Sequence, residues 1–120
     1  MADRVLVISW GQVVRGREER ALEIFNEALG LYGRMQQEGR IEGFDVVLLE
    51  PSTGLGGYIA LQGSAEQLVE VAEDDDFRRL IAASNLIVDD LKIARGATNE
   101  GIAREIALYQ QEIAKVPQSA

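Results

Sequence analysis

The chain alternates between two hydrophobic periods, one typical of β-strands and one typical of α-helices. Residues 4–12 are apolar at odd and even positions alike, which predicts a first strand buried on both faces. Over residues 17–37 apolar side chains return every three or four positions, which predicts a long amphipathic helix. Gly39 is a suitable residue to end that helix.

The middle of the chain has the pattern of a β-hairpin followed by a helix. Residues 41–50 predict a second strand and residues 58–62 a third, joined by turn residues 51–57, which are rich in Pro, Ser and Gly. Ser64 is an expected helix cap because Gln67 follows at capping-box spacing. The acidic run 73–76 predicts a break in that helix, with Asp76 as the cap of a short continuation.

The last third predicts one more strand and one more helix. The strand is expected over residues 86–94, and the helix over residues 99–116, capped by Asn99. The apolar residues of that helix fall at steps of four, three and four, namely Ile102, Ile106, Tyr109 and Ile113. The order of elements predicts an α+β fold: a ferredoxin-like βαββαβ antiparallel sheet with a C-terminal extra helix. Residues 1–120 form a single domain in this interpretation, with a core over residues 4–96.

Strands that are apolar on both faces create a covering problem. Right-handed crossovers place both helices of a βαββαβ unit on one face of the sheet, so the other face meets water. We expect Ile8 and Trp10 on that helix-free face, where they would make a large apolar patch. The simplest cover is a second copy of the chain, which predicts a homodimer or a higher homo-oligomer. The alternative is that the last helix covers the same face within one chain.

The same pattern resembles a known group of proteins. The segment Glu73-Asp-Asp-Asp-Phe77-Arg-Arg-Leu80, leading into residues 86–91, is similar to the dimeric α+β barrel superfamily, and the resemblance covers residues 4–96. Residues 10–22 and 39–42 are also similar to a set of bacterial proteins of unassigned function. The resemblance implies a barrel formed by two ferredoxin-like sheets. Members of the superfamily include cofactor-independent monooxygenases, haem-degrading enzymes, polyketide cyclases, isomerases and sensor domains.

Composition narrows these activities. The chain has no histidine and no cysteine, which argues against a histidine base, haem degradation, thiolate metal sites and thiol nucleophiles. We therefore expect neither a cofactor nor a metal. The net charge of −8 argues against nucleic acid and anionic membranes as partners. The polar first residues and the lack of a long apolar run predict no signal peptide and no membrane span, hence a cytoplasmic protein.

Aromatic residues provide the first candidate site. Trp10, at the end of the first strand, is expected to form a pocket wall with Tyr58, Tyr32 and Phe44. Tyr and Trp each offer one hydrogen bond to a polar ligand atom, so this pocket would suit a small aromatic ligand. The alternative is that all four residues belong to the plain hydrophobic core.

Polar residues provide the second candidate site. Arg15 and Arg17 stand where the first helix begins, and positive side chains there are unfavourable unless an anion is present. They therefore predict a bound carboxylate or phosphate, or alternatively ion pairs with Glu18 and Glu19. Asn85 is expected to donate a hydrogen bond to a ligand carbonyl, or alternatively to end a helix.

No motif in the sequence indicates a particular reaction. The sequence favours a homodimeric module that binds a small ligand or serves assembly. The alternative is a cofactor-independent enzyme, similar to a monooxygenase or an isomerase, that acts on an aromatic or polyketide-like molecule. Such an enzyme needs no metal, because its substrate supplies the electrons and the protein supplies desolvation and hydrogen bonds.

Overall fold

A computed structural model describes residues 2–50, 54–117 and 119. The four strands form one antiparallel sheet in the order β2-β3-β1-β4, which is the ferredoxin-like arrangement expected from the sequence. The predicted turn residues 51–53 lie outside the described residues. The elements are β1 Arg4–Trp10, α1 Glu18–Gln37, β2 Gly43–Leu48, β3 Gly57–Gly63, α2 Ala65–Glu73, α3 Asp75–Asn85, β4 Lys92–Ala97 and α4 Glu100–Ile113.

Local capping signals fix most of the helix ends. α1 stops where predicted, since Gly39 adopts a φ of 74°, a conformation that costs other residues more. Ser64 and Gln67 form the predicted capping box at the start of α2. The predicted cap of the next helix is wrong by two residues: Asp74, not Asp76, accepts the hydrogen bond from the backbone N–H of Phe77.

α1, α2 and α3 cover one face of the sheet, and the core lies between these three helices and the sheet. Leu6 and Ile8 point toward the helices and are 1% and 5% exposed. Trp10 shares their side, because side chains two residues apart on a strand share a face. The expectation that Ile8 and Trp10 lie on the helix-free face is therefore wrong. A strand that is apolar on both sides does not show which side the helices cover.

The helix-free face of the sheet is moderately apolar. Val5 and Val7 of β1 lie there, together with Tyr58 and Ala60 of β3 and Ala94 of β4. All residues from 102 to 117 are exposed, so α4 does not bury its apolar side against the sheet. The alternative that the last helix covers this face within one chain is therefore wrong.

The fourth strand begins six residues later than predicted. Ile87 is buried in the core and Val88 forms an isolated bridge with Val13, so this apolar run packs as an irregular segment. Asp90 then turns the chain with a φ of 54°. The strand itself starts at Lys92 and is largely exposed, which explains why its sequence lacks a hydrophobic signal.

α4 begins after Asn99, as predicted, but Asn99 does not cap it. The side-chain Nδ2 of Asn99 donates to the carbonyl of Ala2 at 2.7 Å, and its backbone has a φ of 50°. Among the described residues no helix is long and apolar enough to cross a membrane.

Candidate functional site

A cavity of about 430 Å³ lies between the helix side of the sheet, α1 and α3. Its walls are almost wholly apolar side chains. They come from β1 (Ile8, Trp10), from α1 (Ala21, Phe25, Ala28, Tyr32) and from the end of α3 with the segment after it. The volume falls in the range typical of small-molecule sites. The cavity can therefore take an apolar ligand with few polar atoms.

Trp10 forms one wall, and two glycines make room for its ring. Trp10 is paired across the sheet with Gly57. A Cβ at Gly57 would lie 2.9 Å from Cζ2 of the indole, and one at Gly56 would lie 3.1 Å from Cδ1. Each would also meet a backbone carbonyl oxygen more closely, that of Val47 for Gly57 and that of Gly11 for Gly56. Phe25 packs edge-on, with ring centroids 6.4 Å apart. The role of these glycines is not visible in the sequence alone. Their position opposite a tryptophan becomes clear only from the strand register.

Tyr32 lies deeper and is 1% exposed. Its ring packs against Phe44, with centroids 5.9 Å apart, and against Phe77, with centroids 6.4 Å apart. Its hydroxyl has no hydrogen-bond partner among the described residues. Burial raises the pKa of the Tyr32 phenol well above its ordinary value, so it stays neutral and able to donate. A ligand with one acceptor oxygen would satisfy it.

Two further polar groups line the cavity, and sequence reasoning missed both as ligand contacts. The Ser84 hydroxyl is occupied, because it donates to the carbonyl of Leu80 at 2.8 Å. Glu18 is charged, and its Oε1 accepts from the backbone N–H of Gly16 at 2.9 Å. Glu18 is the one ionisable side chain besides Tyr32 in the described wall. The cavity thus carries a carboxylate where the sequence predicted an anion site.

The cavity is open to solvent at one end. Val13, Leu22 and Leu48 line it and are nevertheless 39%, 66% and 66% exposed. They therefore form the rim of its mouth, which we call the apolar rim. Apolar side chains exposed around an apolar opening favour a further cover.

The structure brings together two of the four predicted aromatic residues. Trp10 and Tyr32 both line the cavity, and Phe44 contacts Tyr32 from outside the wall. Tyr58 is on the opposite face of the sheet, because the register pairs it with Ser9. The prediction of one pocket formed by Trp10 and Tyr58 is therefore wrong.

The predicted polar residues lie outside the cavity wall. The Arg17 guanidinium donates to the backbone carbonyl of Leu86, and Arg15 is exposed in the preceding turn. Asn85 is exposed at the last position of α3, which is the helix-end alternative. Anion binding at Arg15 and Arg17 and a ligand contact at Asn85 stay predictions. Among the described residues no group of three His, Cys, Asp or Glu side chains is placed to hold a metal ion.

Comparisons of sequence give no relative: no protein-family model matches the chain, and no curated protein is similar to it. Comparisons of structure do find similar proteins. A dimeric ferredoxin-like protein of unknown function from Jannaschia sp. CCS1 is similar with a TM-score of 0.61 and 11% identity, over 80% of this chain and 97% of that one. A dimeric protein of the same fold, also of unknown function, from Bacteroides fragilis has a TM-score of 0.59 and 10% identity, over 79% and 96%.

A third similar structure is an enzyme. It is a variant of SnoaB, a cofactor-independent oxygenase from Streptomyces nogalater, with a TM-score of 0.58 and 12% identity over 82% of this chain and 93% of that one. At such identities the likeness concerns the fold alone. The predicted ferredoxin-like fold is thus confirmed, and the chain shares it with proteins that are described as dimeric.

Proposed function

We propose that this protein is a homodimer that binds a small apolar, aromatic molecule in the cavity between the sheet and α1. The observation that carries the proposal is the cavity itself: about 430 Å³, walled by Trp10 and Tyr32, with an unpaired neutral phenol inside it. The hydroxyl is accessible from the open cavity, where water can bind it, and a ligand oxygen would take the place of that water.

The wall also restricts the charge of the ligand. Arg15 and Arg17 do not line the cavity, whereas the carboxylate of Glu18 does. An anionic ligand would be repelled by Glu18 and would lose its hydration among apolar side chains. The ligand class is therefore neutral or cationic, with a flat hydrophobic body and one acceptor atom for Tyr32.

Self-association is supported by the helix-free face of the sheet. Val5, Val7 and Tyr58 lie on this face, and no helix within the described residues packs over them. Two such faces packed together would bury the apolar centre of each face, as in a two-sheet sandwich. Two proteins of the same fold are described as dimeric, which supports the same arrangement for this chain.

The binding test uses the single tryptophan of the chain as its reporter. N-phenyl-1-naphthylamine is neutral, aromatic and fluorescent, and it absorbs where tryptophan emits. Because Trp10 lines the cavity, we expect saturable quenching of Trp10 emission with one probe bound per chain. Linear quenching that does not saturate would contradict the proposal.

A matched pair of variants locates the probe. Ala21 lines the cavity, and Ala21→Phe should fill part of it and weaken probe binding by about tenfold or more, which is about 1.4 kcal/mol. Ala82 is an exposed residue of α3 outside the wall, and Ala82→Phe should bind like the parent protein. Equal affinities for all three proteins would place the probe elsewhere.

A second candidate function is oxygenation without a cofactor, favoured by the fold shared with SnoaB. An anthrone and one dioxygen would give an anthraquinone and one water: the methylene carbon is oxidised, one oxygen atom enters the new carbonyl, and the other leaves as water. Tyr32 would donate to the substrate carbonyl, and Glu18 would accept the proton that leaves the ring. Uptake of one dioxygen per anthrone, lost in Tyr32→Phe and Glu18→Gln, would support catalysis. Binding of the anthrone without oxygen uptake would contradict catalysis and support ligand binding only.

A further inference from the structure

α4 is an amphipathic helix whose apolar side is largely exposed in the described part of the chain. Ile102, Ile106 and Tyr109 recur at steps of four and three and are 48%, 50% and 68% exposed. A helix of 14 residues is marginally stable in water unless its apolar side is packed. A surface outside the single chain is therefore needed to cover the apolar side of α4.

The start of α4 is nevertheless held firmly in one place. Arg104 Nη2 lies 2.9 Å from Asp3 Oδ2, and Arg4 Nη1 lies 3.4 Å from Glu105 Oε1. Gly101 passes so close to β1 that an added Cβ would lie 2.1 Å from the carbonyl oxygen of Asp3. These contacts fix α4 at the β1–β4 side of the sheet, while its remaining turns stay exposed.

The whole molecule is extended as a result. Its radius of gyration is 16.9 Å, and its extents are 53 × 37 × 22 Å. A compact domain of this length has a radius of gyration of about 14 Å. The excess is typical of an element that packs on another copy instead of its own chain.

β2 is a strand that exposes apolar side chains on its helix side. It is an edge strand, and Val46 and Leu48, on its helix side, are 36% and 66% exposed. Exposed apolar edges invite unwanted pairing unless a helix or a loop covers them. The other edge strand, β4, is protected by its charges, Lys92 and Arg95.

α4 cannot cover β2 of its own chain. The two edges of the sheet are three strand spacings apart, about 14 Å, and α4 leaves β4 after only Thr98 and Asn99. We propose that α4 of each copy packs across β2 of a second copy. The lengths agree, because 14 helical residues span about 21 Å and six strand residues about 20 Å.

Charge on the helix-free face favours the required symmetry. Asp45 on β2 and Lys92 on β4 both point out from that face, near opposite edges. A two-fold axis along the strands stacks β4 over the β2 of the second copy. Asp45 and Lys92 then lie on facing strands, two residues apart, because Asp45 is in the row of Val7 and Lys92 is in the row of Ser9. A two-fold axis across the strands would instead stack β2 over the β2 of the second copy, so that one Asp45 would lie near the other. With the axis along the strands, α4 emerges beside the β2 that it is to cover.

The packing would also complete the cavity. Leu48 belongs to both β2 and the apolar rim, and Leu22 is also part of that rim. α4 of the second copy, seated on β2, would cover this rim with Ile106 and Tyr109. The inference rests on the proposed self-association, and it makes the second copy part of the ligand site.

Cysteine cross-linking tests the packing directly, because the chain has no cysteine of its own. The double variant Ile106→Cys/Val46→Cys should form disulfide-linked dimers under mild oxidation, seen as dimer mass in denaturing gels without reductant. In the control, Gln111→Cys replaces Ile106→Cys on the opposite side of α4. Its yield should be several-fold lower.

Each other outcome has a separate meaning. If the parent protein has monomer mass in sedimentation at micromolar concentration, self-association fails and this packing with it. If the parent is a dimer but the double variant gives no linked dimer, the packing of α4 is wrong and the dimer stands.

Linked dimers from Ile106→Cys alone would show α4 paired with α4. An internal disulfide at monomer mass would show packing within one chain. Either result would overturn the proposal.

Discussion

At the residue scale, Tyr32 combines burial with an unpaired hydroxyl. Phe44 and Phe77 hold its ring, and nothing in the described chain accepts its proton. Without ligand, water in the open cavity can reach the hydroxyl, so Tyr32→Phe should leave the free energy of unfolding within about 1 kcal/mol of the parent value. Urea unfolding measures this. A loss of several kcal/mol would mean that the hydroxyl has a structural partner.

Ligand binding should respond to the same substitution. 2-Acetylnaphthalene has an acceptor oxygen, and 2-ethylnaphthalene has the same shape without one. Tyr32→Phe should weaken binding of the ketone about fivefold, the value of one hydrogen bond of about 1 kcal/mol, and leave the hydrocarbon unchanged. An equal effect on both ligands would show that the hydroxyl does not touch the ketone oxygen.

The buried phenol also predicts a pH dependence. Burial raises the pKa of Tyr32 in the folded protein, whereas the unfolded chain has the ordinary value of about 10. The folded state is therefore favoured below about pH 10 and loses that advantage as the pH rises further. Ketone affinity should be the same at pH 6 and pH 9. A decline between these values would mean that the group which binds the ketone titrates there.

The sequence predicted Trp10 and Tyr32 as pocket residues, and both line the cavity, but it could not show on which face of the sheet that cavity lies. Tyr58 has the same chemistry, and only the pairing of Tyr58 with Ser9 removes it from the cavity. Gly57 carried no visible signal, because its role depends on lying opposite Trp10. Residue type indicates what a site can do, whereas strand register decides which residues meet.

At the element scale, Asp74 joins three parts of the fold. Its Oδ1 accepts from the backbone N–H of Phe77 at the start of α3, and its Oδ2 lies 2.7 Å from Arg40 Nη2, between α1 and β2. The hydrogen bond from Arg40, followed by the one from Phe77, lowers the pKa of the Asp74 carboxyl. The carboxylate therefore stabilises the fold above about pH 4 and loses this effect as the pH falls further.

Two substitutions separate the cap from the charge. Asp74→Ala removes both and should lower the free energy of unfolding by about 1–2 kcal/mol at pH 7. Asp74→Asn keeps a capping oxygen and should lose less than about 1 kcal/mol, because the ion pair is partly exposed. In urea unfolding at pH 3 the gap between Asp74→Asn and the parent should close. A gap of the same size at both pH values would show that the charge of Asp74 contributes nothing.

Elements with strong local signals were predicted well, and those without were not. The capping box and Gly39 mark α1 and α2 in the sequence itself. β4 is an exposed edge strand, so its residues need not be apolar. The apolar segment before it packs in the core and has the strand-like pattern instead. Hydrophobic pattern reports burial, and it locates a strand only when the strand is buried.

At the scale of the whole molecule, the helix-free face of the sheet determines the proposed assembly. Val7 lies in the middle of this face, on an inner strand. Val7→Asp would place a carboxylate in the interface, so its mass in sedimentation at about 10 µM should fall from dimer to monomer. The fold should survive, because this face meets water in the monomer. Val69→Asp is the control, since Val69 is exposed on α2, and it should sediment like the parent protein.

Net charge makes the assembly depend on salt in a definite direction. Each copy carries a net charge of −8, so two copies repel one another at long range. Salt screens this repulsion over a Debye length of about 10 Å at 0.1 M, and it leaves apolar burial unchanged or stronger. The dissociation constant of the dimer, measured by sedimentation, should therefore decrease when the NaCl concentration is raised from about 0.02 to 0.5 M. Weaker association at high salt would instead show that ion pairs such as Asp45 with Lys92 outweigh the repulsion. Lys92→Glu would then abolish the dimer, whereas with an apolar interface it should only weaken it.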